Sequence, residues 1–222
     1  MLELELELKT ETGLNSDTQS ESGSESELKQ ESKIDILEEM NKMQTQYYKT
    51  HSKNSFFKKS QKIDCAKELC KTLDLNEMIA KTIYVIPETN KIYMDYPIFK
   101  LYANTDNFDA IIQHIINTCR YLVTYHKSLE VFINLETFSV SAAERYKGLI
   151  KKYCDNCLTE NTDFAILLTK LHILNTPSVI EMIVKIIKPV VDQSVIGKVA
   201  FYKKEESPTI INNLKNVNNI NI

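Results

Sequence analysis

The sequence predicts an α/β domain with a mixed, largely parallel sheet, preceded by N-terminal helices. Three observations carry that expectation. From residue 82 onward, short runs rich in β-branched and aromatic residues alternate with amphipathic segments, the pattern of strands joined by crossover helices. Residues 33–81 hold only helical periodicity. Near the C-terminal end, Ser178–Asp192 carries more apolar surface than one face of a sheet can cover.

Residues 1–32 alternate Leu and Glu and then turn to Ser, Glu, Thr and Gln. They hold nine acids and two lysines, a net of −7 against −3 for the whole chain. Low hydrophobicity with repeated negative charge reads as a disordered acidic tail. What remains is mildly basic, compatible with an anionic membrane surface and too weakly charged to argue for nucleic acid. Residues 33–81 form a helical segment. Ile34, Leu37, Met40 and Met43 set one helix, and Cys65, Leu69, Leu73 and Leu75 set a second over Ile63–Ala80. Between them Phe56 and Phe57 stand among lysines, a pattern that suits either a membrane surface or a pair of rings packed on the domain.

Residues 82–203 form the domain. Thr82–Pro87, Lys91–Asp95 and Ile98–Ala103 read as three short strands, with a turn over Glu88–Asn90 between the first two. Asp106 is placed to cap a long helix whose apolar set runs Phe108, Ile111, Ile112, Ile115, Ile116, Cys119, Leu122 and Val123. Leu129–Leu135 is a strand. Ser139 or Ser141 opens the next helix, with Glu144 three residues after Ser141 as in a capping box. Phe164–Leu174 reads as a buried strand, and Gly197–Tyr202 as the last one. Residues 204–222, rich in Asn, read as a flexible tail.

The helix over Ser178–Asp192 organises the rest. Its polar residues are Ser178, Glu181, Lys185, Lys188 and Asp192, spaced three or four apart on one stripe. Everything else there is apolar or proline. Such a helix has two sides to hide, one on its own domain and one on something else. A core or dimer interface would do, and so would an apolar ligand cavity for which the helix is the lid. A membrane span is excluded, because the charges interrupt a run that would need about 20 apolar residues. Lys188 and Lys198 bracket the end of this helix. They could hold an anionic headgroup, or serve as a dipole-compensating lysine and a surface lysine.

Several chemistries are excluded. The four glycines are scattered, which removes phosphate-cradling loops built on clustered glycine. No serine has the flanking glycines of a nucleophile elbow. Cys154 and Cys157 form a lone CxxC without histidines at ligand spacing, so no metal is expected. Five cysteines and no export signal suit reduced thiols in the cytoplasm. His51, His114, His126 and His172 are far apart in sequence, each read as structural. The chain is expected not to be an enzyme and to need no cofactor.

The stretch HILNTPSVIEMIVKIIKPVVDQSVIGKVAFY resembles the C-terminal core motif of the CRAL-TRIO lipid-binding family. Asn175 and Pro177 match the family's Asn-x-Pro turn; Lys188, Pro189 and Asp192 match the end of its gate helix; Lys198 matches its strand lysine. Upstream, LEVFINLETFSVS resembles the central strand leading into the next helix. The resemblance implies an apolar cavity under a gate helix, holding one hydrophobic lipid, with phospholipid as one candidate. It further implies exchange by transient contact with a membrane surface. The lipid-binding residues it implies are Phe132, Asn134, Met182, Ile183, Ile186, Ile187, Val190, Lys188 and Lys198. A divergent branch of the family acts as protein-interaction modules, which gives the alternative of a protein partner and no bound lipid.

Overall fold

The computed structural model describes residues 35–51, 58–159 and 164–219. The chain divides into two units, Met1–Lys33 and Ile34–Ile222, and the described residues belong to the second. The acidic tail and the Phe56–Phe57 pair lie outside them.

Three helices come first: α1 (Ile36–Thr50), α2 (Lys58–Thr72) and α3 (Leu75–Thr82). Asp35 accepts from the Leu37 amide at 3.2 Å and Asp74 from the Glu77 amide at 2.8 Å, so each carboxylate satisfies an otherwise orphaned first-turn donor. Then follow β1 (Ile83–Val85), β2 (Lys91–Asp95), α4 (Tyr96–Tyr102), α5 (Phe108–His126), β3 (Leu129–Asn134), α6 (Val140–Thr159) and α7 (Phe164–Leu167). The chain continues through β4 (Leu168–Leu174), α8 (Ile180–Ile187), a 3-10 turn (Lys188–Val190), α9 (Gln193–Ile196), β5 (Val199–Phe201) and α10 (Ser207–Asn219).

Four expectations change and one open alternative is resolved. Ile98–Ala103 is not a strand but most of α4. Pro97 sits in the first turn, where its missing N–H costs nothing, and Tyr96, Phe99 and Tyr102 recur at helical spacing on the buried side. Residues 164–167 make one helical turn before β4 begins. Asn107, not Asp106, stands at the N-cap of α5; Asp106 instead pairs with Lys67 at 2.7 Å. Ser139 rather than Ser141 opens α6, its hydroxyl accepting from the Ala142 amide at 3.3 Å. The Asn-rich end, read as a frayed tail, folds as α10 from residue 207.

The five strands lie in the order β1-β2-β3-β4-β5, with β1 antiparallel to β2 and the rest parallel. Alternation along strands in register sorts the side chains onto two faces. Ile83, Ile92, Leu129, Val131 and Leu171 belong to the main core, packed with residues of α5, α6 and the N-terminal helices. The other face presents Tyr84, Tyr93, Phe132, His172 and Leu174; Tyr93, Phe132 and Leu174 pack with Leu214, Ile210 and Ile211 of α10. The helices that connect parallel strands thus line one face, and the C-terminal helix covers the other.

Candidate functional site

The oily helix is shorter than its apolar run, because Pro189 enters and the chain tightens into the 3-10 turn. It rests on α6. Ile183 is its buried residue at 4 % exposure. Ile186, Ile187 and Val190 are half-buried. Met182 is 53 % exposed, with Val179 at 38 % and Val184 at 36 %. On edge strand β5, Phe201 is 48 % exposed, and its register with Ile173 puts it on the helix-lined face of the sheet. Apolar surface is therefore left uncovered along α8 and at the sheet edge on the same side.

The turn that aims α8 is built by Asn175, which adopts φ 51, a left-handed conformation that Asn tolerates better than most residues. Its side-chain amide donates to Asn134 Oδ1 at 2.8 Å, while the Thr176 amide donates to the Tyr202 carbonyl at 3.0 Å. The exit of β4 is thereby tied to both neighbouring strands before Pro177 turns the chain into α8.

The two lysines separate in role. Lys188 is exposed at the start of the 3-10 turn. The Lys198 ammonium donates to the carbonyls of Ala165 at 2.7 Å and Ile166 at 3.0 Å, satisfying orphaned acceptors of α7.

Phe132 and Asn134 lie on the opposite face from α8. Phe132 is buried with its ring stacked on His172, centroids 4.1 Å apart, and the Lys91 ammonium stands 5.9 Å from the ring centre. Asn134 is buried and bonded to Asn175 and to the Glu136 amide. The residues expected to form one site thus fall into two groups, α8 with its turn and the α10-covered face of the sheet.

That second face holds groups that sequence reasoning left aside. His172 is buried between Glu130, 2.6 Å from Nε2, and the Tyr202 hydroxyl, 2.9 Å from Nδ1. Tyr93, Phe132 and His172 stand on one rung of the sheet, and strand alternation is the signal that could have joined Tyr93 and His172 to Phe132. Burial raises the Tyr93 hydroxyl well above its usual range and lifts the Asp95 carboxyl as well. Ser207 is fully buried; its hydroxyl accepts from the Asn175 amide at 2.7 Å and donates to the Lys203 carbonyl at 2.7 Å, fixing the start of α10.

Little of this invites covalent chemistry. Burial pushes the Cys119 thiol up to about 12, and Cys65 and Cys154 to about 11, so they stay protonated and weakly nucleophilic near neutral pH. No group of three metal-ligating side chains occurs among the described residues. No helix there is long and apolar enough to cross a membrane. Two open hollows lie away from α8. One of about 690 Å³ separates α1 from α2 beside Tyr47 and Leu69. The other, about 360 Å³, is lined by Leu37, Lys81, Tyr84, Asp95, Ile98 and Lys215.

The CRAL/TRIO domain is the family whose profile matches this chain, over residues 98–218, more than half its length. No curated protein matches it.

Proposed function

This chain belongs to the CRAL/TRIO domain family, a lipid-binding and lipid-transfer type of domain, and from that premise we propose that it carries one hydrophobic lipid, held against α8. The observation that carries the reading is the uncovered apolar surface of this helix. Met182, Val179 and Val184 stay open to solvent although the segment is among the oiliest in the chain. Fully burying a Met or Val side chain contributes roughly 1.5–3 kcal/mol, so three partly exposed ones leave a few kcal/mol for an occupant to collect. A lipid tail collects it efficiently, at about 0.8 kcal/mol per buried methylene.

In this reading a cavity forms as α8 swings on its two ends, the Asn175 turn and the 3-10 turn at Pro189. Ile186, Ile187 and Val190 meet acyl chain, Ile183 anchors the helix on α6, and Lys188 stands at the mouth, where its free ammonium suits a phosphate-bearing headgroup. Lys198 contributes by holding α7 and the start of β5 together. Exchange takes place at a membrane surface in the cytoplasm, through the exposed Met182 side, with no reaction catalysed.

The test is to purify the full chain without detergent and to extract it under denaturing conditions for mass spectrometry. Roughly one lipid per chain is expected. An empty chain that also fails to take up a fluorescent phospholipid from vesicles would overturn the reading.

A further inference from the structure

The 360 Å³ hollow lies at the carboxyl end of β2, and no residue of α8 is among its lining. In open α/β sheets the carboxyl ends of parallel strands are where ligands are commonly received. Six elements converge there: α1 and α4 bring Leu37 and Ile98, α3 brings Lys81, β1 brings Tyr84, β2 brings Asp95, and α10 brings Lys215. Its volume suits a small molecule.

The charges in this hollow do not cancel, two lysines standing against one carboxylate. Lys81 and Lys215 are exposed and make no ion pair among the described residues, although Asp95 lines the same space. Asp95 is itself poorly satisfied. Its side-chain partners, the Tyr93 hydroxyl and the Asn134 amide, stand at 3.5 Å, the long limit of a hydrogen bond. The Ile98 N–H and the Lys215 ammonium also favour its charged form. Burial outweighs these helpers and lifts the carboxyl. Two exposed ammonium groups and one carboxylate with long side-chain hydrogen bonds around one space suit a ligand that is both an anion and a hydroxyl donor.

We propose that this hollow binds a small phosphorylated polyol, with its phosphate between Lys81 and Lys215 and its hydroxyls on Asp95 and Tyr84. Ammonium groups bind phosphate as point charges, and a carboxylate accepts from hydroxyls but repels phosphate. The division of labour thus fixes the orientation of the ligand. Because Lys215 belongs to α10 and Lys81 to α3, the bound phosphate joins the C-terminal helix to the N-terminal helices. The site is therefore also a latch on the cover of the sheet. It stands apart from the lipid proposed at α8 and does not depend on it.

The experiment is calorimetric titration of the full chain with glycerol 3-phosphate, with inorganic phosphate, and with vesicles of phosphatidylcholine with or without phosphatidylglycerol. Hydrogen exchange of the α10 amides is followed in parallel. Saturable binding of glycerol 3-phosphate, tighter than inorganic phosphate and slowing α10 exchange, is expected and identifies a free metabolite. Binding only to phosphatidylglycerol vesicles, with the same slowing of α10, identifies a lipid headgroup as the source of the same chemistry. Lys81→Gln with Lys215→Gln removes both charge-assisted contacts and should weaken either binding by about tenfold or more. Asp95→Asn should erase the preference for glycerol 3-phosphate over inorganic phosphate while leaving phosphate bound. Lys81 and Lys215 are exposed, so the double variant folds, and its thermal unfolding checks this. The proposal is overturned if neither ligand form binds, if the double lysine variant binds as well as the parent, or if Asp95→Asn keeps the polyol preference.

Discussion

Two helices of this chain answer the same question in opposite ways. α8 reads IEMIVKII and is apolar around most of its circumference, yet Ile183 is its one buried residue. α10 reads SPTIINNLKNVNN, rich in asparagine, yet it docks through Ile210, Ile211 and Leu214 on a sheet face lined by Tyr84, Tyr93 and Phe132. The difference is one of arrangement. In α10 three apolar residues at i, i+1 and i+4 make one stripe that a flat surface can cover. In α8 apolar residues point in nearly every direction, and α6 can meet only one of them. A helix with too much oil cannot be finished by its own domain, whereas a helix with just enough can.

The sharpest way to break this comparison is Met182→Glu. The side chain is about half exposed, so thermal unfolding of the lipid-free chain should hardly move, while lipid recovered by extraction and mass spectrometry should fall to background. Retained loading would place the occupant elsewhere. Next in size is Leu214→Ala, which strips α10 of its buried anchor. A loss of about 2–4 kcal/mol is expected in denaturant unfolding, or an equal loss of local protection in α10 by hydrogen exchange if that helix detaches first. An unchanged exchange pattern would mean that α10 is held by something other than this stripe. The smallest effect is electrostatic and lies on the α10 side alone. The Asp95 carboxyl is raised above its unfolded value by burial. Between those two values the folded state binds the extra proton, so stability should fall as pH rises through the range just above the ordinary carboxylate value. Asp95→Asn should flatten that slope, as read from the unfolding midpoint between pH 4 and 7, and Met182→Glu should not.

Much of the fold could be read beforehand. β2 and β3 are marked by β-branched and aromatic runs, and the polar stripe of α8 is written at spacings of three and four. Asn175 and Pro177 mark the turn between β4 and that helix, and those same residues carry the family resemblance. What failed did so for identifiable reasons. YPIFKLY is rich in strand-favouring residues, and only the spacing of Tyr96, Phe99 and Tyr102 with an early proline shows the helix. Ser207–Asn219 looks like a tail because composition dilutes a three-residue stripe. The site was legible only in part. Periodicity finds a helix with surplus oil, but it cannot say which face of the sheet Phe132 joins, since that depends on which side the connecting helices take. Nor does it show Lys198 spent on the carbonyls of α7, a contact across 33 positions of chain.

The sheet ends on both sides in very short strands: β1 has three residues and β5 has three. A border of that length offers few unpaired amides and carbonyls for another chain to extend. Growth by adding strand to strand is thereby starved of a template, and two copies that meet must do so through side chains instead. The place where they would stick is the half-bare flank of α8, so if a lipid covers that flank as proposed, the empty chain should be more prone to clump than the loaded one, and its solubility becomes a readout of occupancy.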